Sequence, residues 1–256
     1  MQAIASHTAE MGHIIGEFGW NKKRAKLLLI IYGIIALPIS LMSCLFIVGF
    51  FSSPVVLWLI IRSICRLKSS RIIISLYEKG LIDNRNGDAS PLFYRDISKI
   101  YVSPVSMGGQ TFYDYTVHTY DGSKPIKFSI EIANTKQFGE AIQEGILATQ
   151  LQQHLIDLEN GASIPFDRLS LSAEGLAFRK KKLDWQDFSH AEIKRNRVGK
   201  SVTHWLEIYQ KGQSRVWKNF ERNRFPNLFL FFNLVDHLSQ ERLTQECSRT
   251  YDNTRV

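Results

Sequence analysis

Leu76-Tyr77-Glu78-Lys79-Gly80-Leu81 is bounded by two leucines and carries an acidic residue and a glycine between them, and a similar order returns at Leu171-Ser172-Ala173-Glu174-Gly175-Leu176, an offset of 95 residues. Apolar ends around an acidic residue and a glycine read as two short strands joined by a tight turn. Outward from the first copy, β-branched and aromatic runs at Ile72–Tyr77, Leu81–Asn84, Phe93–Val102, Phe112–Tyr120 and Lys124–Ile130 predict strands. Glu78-Lys79-Gly80, Asn86-Gly87-Asp88, Met107-Gly108-Gly109 and Asp121-Gly122 supply the turn chemistry between them. Asn134, with Gln137 three residues later, resembles a capping box that opens a helix to about Asn160. Around the second copy, Leu183-Asp184-Trp185-Gln186-Asp187-Phe188 corresponds to Phe93-Tyr94-Arg95-Asp96-Ile97, an aromatic and an aspartate within an apolar strand. Thr203–Tyr209, Lys211-Gly212 and Ser214–Lys218 repeat the hairpin, and Pro226–Leu238 repeats the helix. The glycine after the acidic residue is expected to supply a positive-φ turn position.

With 45% apolar and 12% aromatic residues against 7 prolines in 256, the composition excludes a disordered or collagen-like chain and supplies one or two cores. Charge is unevenly shared within the overall +8: residues 71–161 hold eight basic against eleven acidic groups, and residues 162–240 fourteen against eight. A mildly acidic unit thus precedes a strongly basic one. Cys44, Cys65 and Cys247 are odd in number and lack C-x-x-C spacing, which indicates neither a disulfide framework nor a zinc site and fits a reducing compartment.

From Leu27 to Ile61 no residue is charged, a run of 35. As one helix it would reach about 50 Å, well beyond a hydrocarbon core of roughly 30 Å, so the chain must turn within it. Gly49-Phe50-Phe51-Ser52-Ser53-Pro54 carries the strongest break signal. Lys22, Lys23, Arg24 and Lys26 precede the run, and Arg62 and Arg66 follow it. A transmembrane helical hairpin over 27–68 keeps both basic clusters on the cytoplasmic side and makes these six cations membrane-interface residues. The second arm either snorkels Arg62 and Arg66 to the interface or is re-entrant. The expected localisation is therefore the inner membrane, with the remaining domains facing the cytoplasm.

A bent antiparallel sheet closed by a C-terminal helix, occurring twice, is similar to the pleckstrin-homology-like fold. Ile15-Gly16-Glu17-Phe18, Asn21-Lys22-Lys23-Arg24, the apolar hairpin and above all Leu76-Tyr77-Glu78-Lys79-Gly80-Leu81 carry a further likeness. Through them the chain resembles, over nearly its full length, an uncharacterised bacterial membrane-protein family with an N-terminal hydrophobic hairpin and tandem pleckstrin-homology-like domains. The resemblance implies an α+β chain: a leader (1–26), the hairpin (27–68), a first domain with a long helix (71–161), a second, basic domain (162–240) and a tail (241–256). It implies no activity and no cofactor.

The residues point to binding rather than turnover. Phosphate-cradling glycine loops, HExxH, GxSxG and the kinase set are all missing. The seven histidines never lie three or four residues apart, and His190 beside Asp187 and Glu192 is the only acid–histidine grouping. No catalytic residue, metal ligand or cofactor is assigned. The basic unit offers instead Arg179, Lys180, Lys181 and Lys182 in an early turn, and Lys194, Arg195, Arg197 and Lys200 in the next connection. By analogy with the fold these two clusters meet at the rim of the sheet and engage anionic lipid headgroups or an acidic partner. Tyr113 and Tyr115, amid a run of tyrosines, are candidates for protein docking. Nucleic acid, through Trp185, Trp205 and Trp217, is the weaker reading, since those residues sit in strand patterns where they pack as core. The expected function is that of a membrane-anchored, non-catalytic binding or scaffold protein. A structural subunit of a membrane complex and an enzyme of unrecognised class are the alternatives.

Overall fold

The computed structural model of the chain describes residues 2–43, 57–65, 72–85, 87, 89–107, 110–198 and 201–252. Its described residues form fourteen strands in four sheets with few helices. The strands fall in two compact units, one of residues 1–93, 107–114 and 128–140, the other of residues 94–106, 115–127 and 141–256.

The first unit opens with helix α1 (Gln2–Met11), strand β1 (Ile14–Gly19) and helix α2 (Lys22–Ser43), followed by helical residues 57–65 (α3). Strands β2 (Ile72–Tyr77), β3 (Gly80–Asp83) and β4 (Ser90–Phe93) then complete an antiparallel sheet of order β1-β2-β3-β4. The short leader is thus a structural strand. Phe18 lies opposite Ile74, Gly19 pairs with Ile72, and the Phe18 ring meets Phe138 edge-on at 5.2 Å. Asn21 donates from Nδ2 to the Ile130 carbonyl at 3.0 Å, and its Oδ1 accepts the Arg24 N–H at 3.2 Å, which caps α2. Everything from Trp20 to Arg71 is therefore an excursion between two neighbouring strands, which the sequence reading did not anticipate.

That excursion corrects the expected transmembrane hairpin. Helix α2 begins with Lys22, Lys23, Arg24 and Lys26. Among the described residues no helix is long and apolar enough to cross a membrane. The integral-membrane placement and the α+β class built on the hairpin are corrected accordingly: the described residues form fourteen strands in four sheets, and none of their helices is long and apolar enough to span a membrane. Residues 44–56 and 66–71, including Cys44, Pro54 and Arg66, lie outside the described residues.

In the second unit, a 3-10 turn at Tyr94–Asp96 leads into β5 (Ile97–Met107), which forms a three-stranded sheet of order β5-β6-β7 with β6 (Gln110–Thr119) and β7 (Ile126–Phe128). Helix α4 (Thr135–Glu159) follows. Then β8 (Ile164–Phe166), β9 (Leu169–Leu171), β10 (Gly175–Phe178) and β11 (Lys181–Asp184) form a sheet of order β11-β10-β9-β8. After a turn, β12 (Phe188–Val198), β13 (Ser201–Gln210) and β14 (Val216–Glu221) form the sheet β12-β13-β14, and helix α5 (Leu228–Asp252) follows. Leu230, Phe231, Leu234, Val235 and Leu238 recur at helical spacing on α5 and are buried with Phe166, Leu171, Leu176, Leu206 and Ile208 in one core cluster. Phe166 stacks on Phe225 at 5.8 Å and meets Phe231 edge-on at 5.4 Å.

Leu76 pairs with Leu81 across β2 and β3, and Leu171 pairs with Leu176 across β9 and β10, the same register at both copies of the motif. The glycines act differently from the expectation. Gly80 and Gly175 are not among the residues with positive φ; each lies where the next strand passes too close for a side chain. The aspartate motif also differs: Tyr94–Asp96 and residues 185–187 are turns between strands, with Tyr94 and Trp185 buried beneath them.

Two polar devices fix this unit. Gln150 donates from Nε2 to the carbonyls of Tyr94 and Ile97, both at 2.8 Å. Asn227, just before α5, serves the free edge of β5: its Oδ1 accepts the Ile100 N–H at 2.8 Å, its own N–H donates to the Ile100 carbonyl at 2.9 Å, and Nδ2 donates to the Ser98 carbonyl at 2.9 Å. The Tyr94 hydroxyl, by contrast, is buried with no hydrogen-bond partner among the described residues, and burial raises its pKa well above the ordinary phenol range. Tyr94→Phe removes this unsatisfied group, so the urea midpoint is expected to rise by an amount equivalent to about 1 kcal/mol. A fall in the midpoint would show that the hydroxyl is solvated.

Candidate functional site

The pair Phe178↔Lys181 closes the β10–β11 hairpin, so Arg179 and Lys180 form a two-residue connection. Arg179 has φ 54°, the left-handed conformation such tight connections require, although it is neither glycine nor asparagine. Its guanidinium lies 5.4 Å from the centroid of the Phe178 ring. The Lys218 ammonium, arriving from β14, lies 4.1 Å from the same ring, and Phe220 meets that ring edge-on at 5.6 Å. Two cations therefore converge on one aromatic. Lys180, Lys181 and Lys182 continue the row, all exposed. Among the described residues, none of Arg179, Lys180, Lys181, Lys182 and Lys218 takes part in an ion pair.

The second expected cluster is built otherwise. Lys194, Arg195, Asn196 and Arg197 belong to β12 itself, opposite Trp205, His204, Thr203 and Val202, rather than to a connection. Lys200 lies outside the described residues. On one face of the sheet the Lys194 ammonium sits 3.3 Å from the Tyr209 hydroxyl and 3.6 Å from Glu207 Oε2. The Tyr209 hydroxyl first, and the Glu207 charge after it, raise the Lys194 pKa above its ordinary value. Tyr209 donates its own proton to Glu207, and His190 stacks on the Tyr209 ring at 4.5 Å. Lys194 is thus held by an acidic partner within the sheet. Across the sheet, burial first and then the charges of Arg222 and Arg195 lower the His204 pKa, so its imidazole is neutral at pH 7. The two expected clusters occupy different sheets, and the partner of the β10–β11 turn is Lys218 of β14.

The tyrosine reading is corrected at one position. Tyr115 is only 2% exposed and shares a strand face with the buried Val117, so it packs in the core and offers no docking surface. Tyr113 is half-buried, and Tyr120, 67% exposed, is the outward aromatic of that region. Trp185 is core as well, its indole donating to the Ser172 carbonyl at 3.1 Å. Lys22, Lys23, Arg24 and Lys26 occupy the first turns of α2, where the helix dipole opposes them. Arg62 lies over Trp58 on α3 at 5.1 Å. Among the described residues no group of three or more histidine, cysteine, aspartate or glutamate side chains could hold a metal ion.

No curated protein matches the chain. A family model matches residues 2–244, which takes in the leader strand, the excursion, all four sheets and more than half of α5. With the match spanning so much of the sequence, the chain belongs to the family of unknown function DUF6585.

Proposed function

We propose that this protein is a non-catalytic binding module whose second unit engages an acidic surface of a protein partner through Arg179, Lys180, Lys181 and Lys182, with Lys218 beside them. The reading rests on one observation: five cations are gathered at a tight turn and its neighbouring strand without an acidic partner among the described residues, while Lys194 on the neighbouring sheet is matched by Glu207. A folded domain gains nothing from such uncompensated charge, whereas a long-range field on one turn steers an oppositely charged surface. Exposed cations of this kind act through a screened Coulomb attraction, so the interaction weakens as salt rises.

The test uses the full chain and the variant Lys180→Glu/Lys181→Glu/Lys182→Glu. Binding to poly-L-glutamate at low and at physiological salt is expected to be at least about tenfold weaker in the variant, and to fall with salt in the wild type. Vesicles of neutral lipid with and without phosphatidylserine form the second arm. Retention on the anionic vesicles alone, without binding to poly-L-glutamate, would reassign the turn to lipid headgroups. Binding that ignores both salt and charge reversal would refute the role of these cations.

A further inference from the structure

The β10–β11 turn gathers more hydrogen-bond donors than the protein itself uses. A guanidinium and an ammonium are pure donors, with several N–H groups each and no acceptor. Among the described residues, the Arg179 guanidinium and the Lys218 ammonium make no hydrogen bond and no ion pair. Their contacts are with rings alone, Arg179 with Phe178, and Lys218 with Phe178 and, at 5.9 Å, with Phe220. An aromatic face attracts a cation but leaves its N–H groups without an acceptor. Asp184 is exposed two positions after Lys182 on β11, yet among the described residues it pairs with none of these cations. Lys218 is half-buried, so its idle donors are also partly shielded from water. The backbone adds a second observation. At φ 54° asparagine or glycine is the less strained choice, yet the chain keeps an arginine there, and with it a guanidinium at the tip of the turn.

We infer that Arg179 and Lys218 form a binding site for a phosphoryl group carried on a side chain of the partner protein. The inference rests on the proposed function and names the acidic group that enters. The unused donors select it. A phosphoryl group has one more oxygen than a carboxylate and nearly twice its charge at pH 7, so it can draw on both cations where a carboxylate is satisfied by one. The planar fork of Arg179 matches two of its oxygens, and the Lys218 ammonium, on a flexible stem, acts beside it as a point charge. Lys180, Lys181 and Lys182, exposed and without ion pairs among the described residues, extend the positive field around the pair. The site lies on an exposed two-residue hairpin connection, which suits an anion held on a macromolecular surface better than a small molecule that needs enclosing walls.

A short peptide with one central phosphoserine tests this, beside the same peptide with glutamate or with serine at that position. The full chain is expected to bind the phosphoserine peptide at least about tenfold more tightly than the glutamate peptide, and the serine peptide most weakly. Arg179→Asn, which suits the left-handed backbone, and Lys218→Gln are each expected to cut that preference to less than about threefold. The phosphorus NMR resonance of the peptide is expected to shift on binding the wild type and to move little with either variant. Equal binding of the phosphoserine and glutamate peptides overturns the inference. If that equal binding falls with salt and is lost on charge reversal at Lys180, Lys181 and Lys182, the proposed function stands without it. A preference that survives both substitutions also overturns the inference, because the phosphoryl group is then held elsewhere. So does retention on vesicles containing phosphatidic acid with no binding of the phosphoserine peptide, which assigns the site to a lipid headgroup. No binding of any peptide or of poly-L-glutamate at low salt overturns both the inference and the proposed function.

Discussion

Gly175→Ala is expected to lower stability by about 3 kcal/mol, and Gly80→Ala by a similar amount, measured as urea midpoints followed by tryptophan fluorescence. A Cβ at Gly175 would overlap the Leu183 carbonyl oxygen and stand 2.8 Å from the Asp184 Cα. One at Gly80 would stand 2.5 Å from the Leu92 carbonyl oxygen and 3.0 Å from the Phe93 Cα. In both cases the obstacle is the backbone of a paired strand, which cannot rotate aside as a side chain would, so the ladder itself must open. Gly161→Ala is the control. Its φ of 79° strains any side chain, yet the space around it is open, and a cost of about 1 kcal/mol is expected from conformation alone. If Gly175→Ala costs no more than Gly161→Ala, strand proximity is not what the glycine serves.

Asn227→Gly is expected to cost about 3 kcal/mol, nearly all of it from the side chain. Glycine tolerates the φ of 49° at this position as well as asparagine does, so the substitution isolates two lost hydrogen bonds, to the Ile100 N–H and the Ser98 carbonyl. Each strand group left without a partner costs about 1–3 kcal/mol, depending on how far water can reach it. Asn227→Asp should fall between, because it keeps the acceptor for Ile100 and loses the donor to Ser98. Hydrogen exchange at Ile100 distinguishes the two: it is expected to accelerate in Asn227→Gly and to stay slow in Asn227→Asp.

How much of this was legible in the sequence varies from element to element for physical reasons. The motif around Gly80 and Gly175 announced its hairpins because alternating leucines and a tight turn are local signals, and the observed pairs Leu76↔Leu81 and Leu171↔Leu176 lie within it. The reason for its glycines was not legible, since it lies in β4 and β11, which approach from further along the chain. Residues 192–197, Glu-Ile-Lys-Arg-Asn-Arg, read as a connection because an edge strand with solvent on much of its surface has no apolar alternation to betray it. Tyr115 was misplaced although the signal was present: it shares the parity of Val117, and counting by two would have set both on the core face. The apolar run invited a membrane reading because hydropathy is counted over length alone, whereas the pairing of β1 with β2 depends on residues more than fifty positions apart. The site was only partly legible. The cations of the β10–β11 turn are visible as a run, but their lack of acidic partners and the neutralisation of Lys194 by Glu207 are properties of cross-strand neighbours.

The pairing of Gly19 with Ile72 also imposes a schedule on biosynthesis. Ile14, Phe18 and their neighbours leave the ribosome first, yet their hydrogen-bonding complement is not synthesised until 52 further residues, 20 to 71, have been added. At roughly 5–20 residues per second that is a wait of about 3–10 s. Throughout it β1 is an orphaned ribbon, exposed to chaperones and to whatever else in the cell will hold an apolar strand.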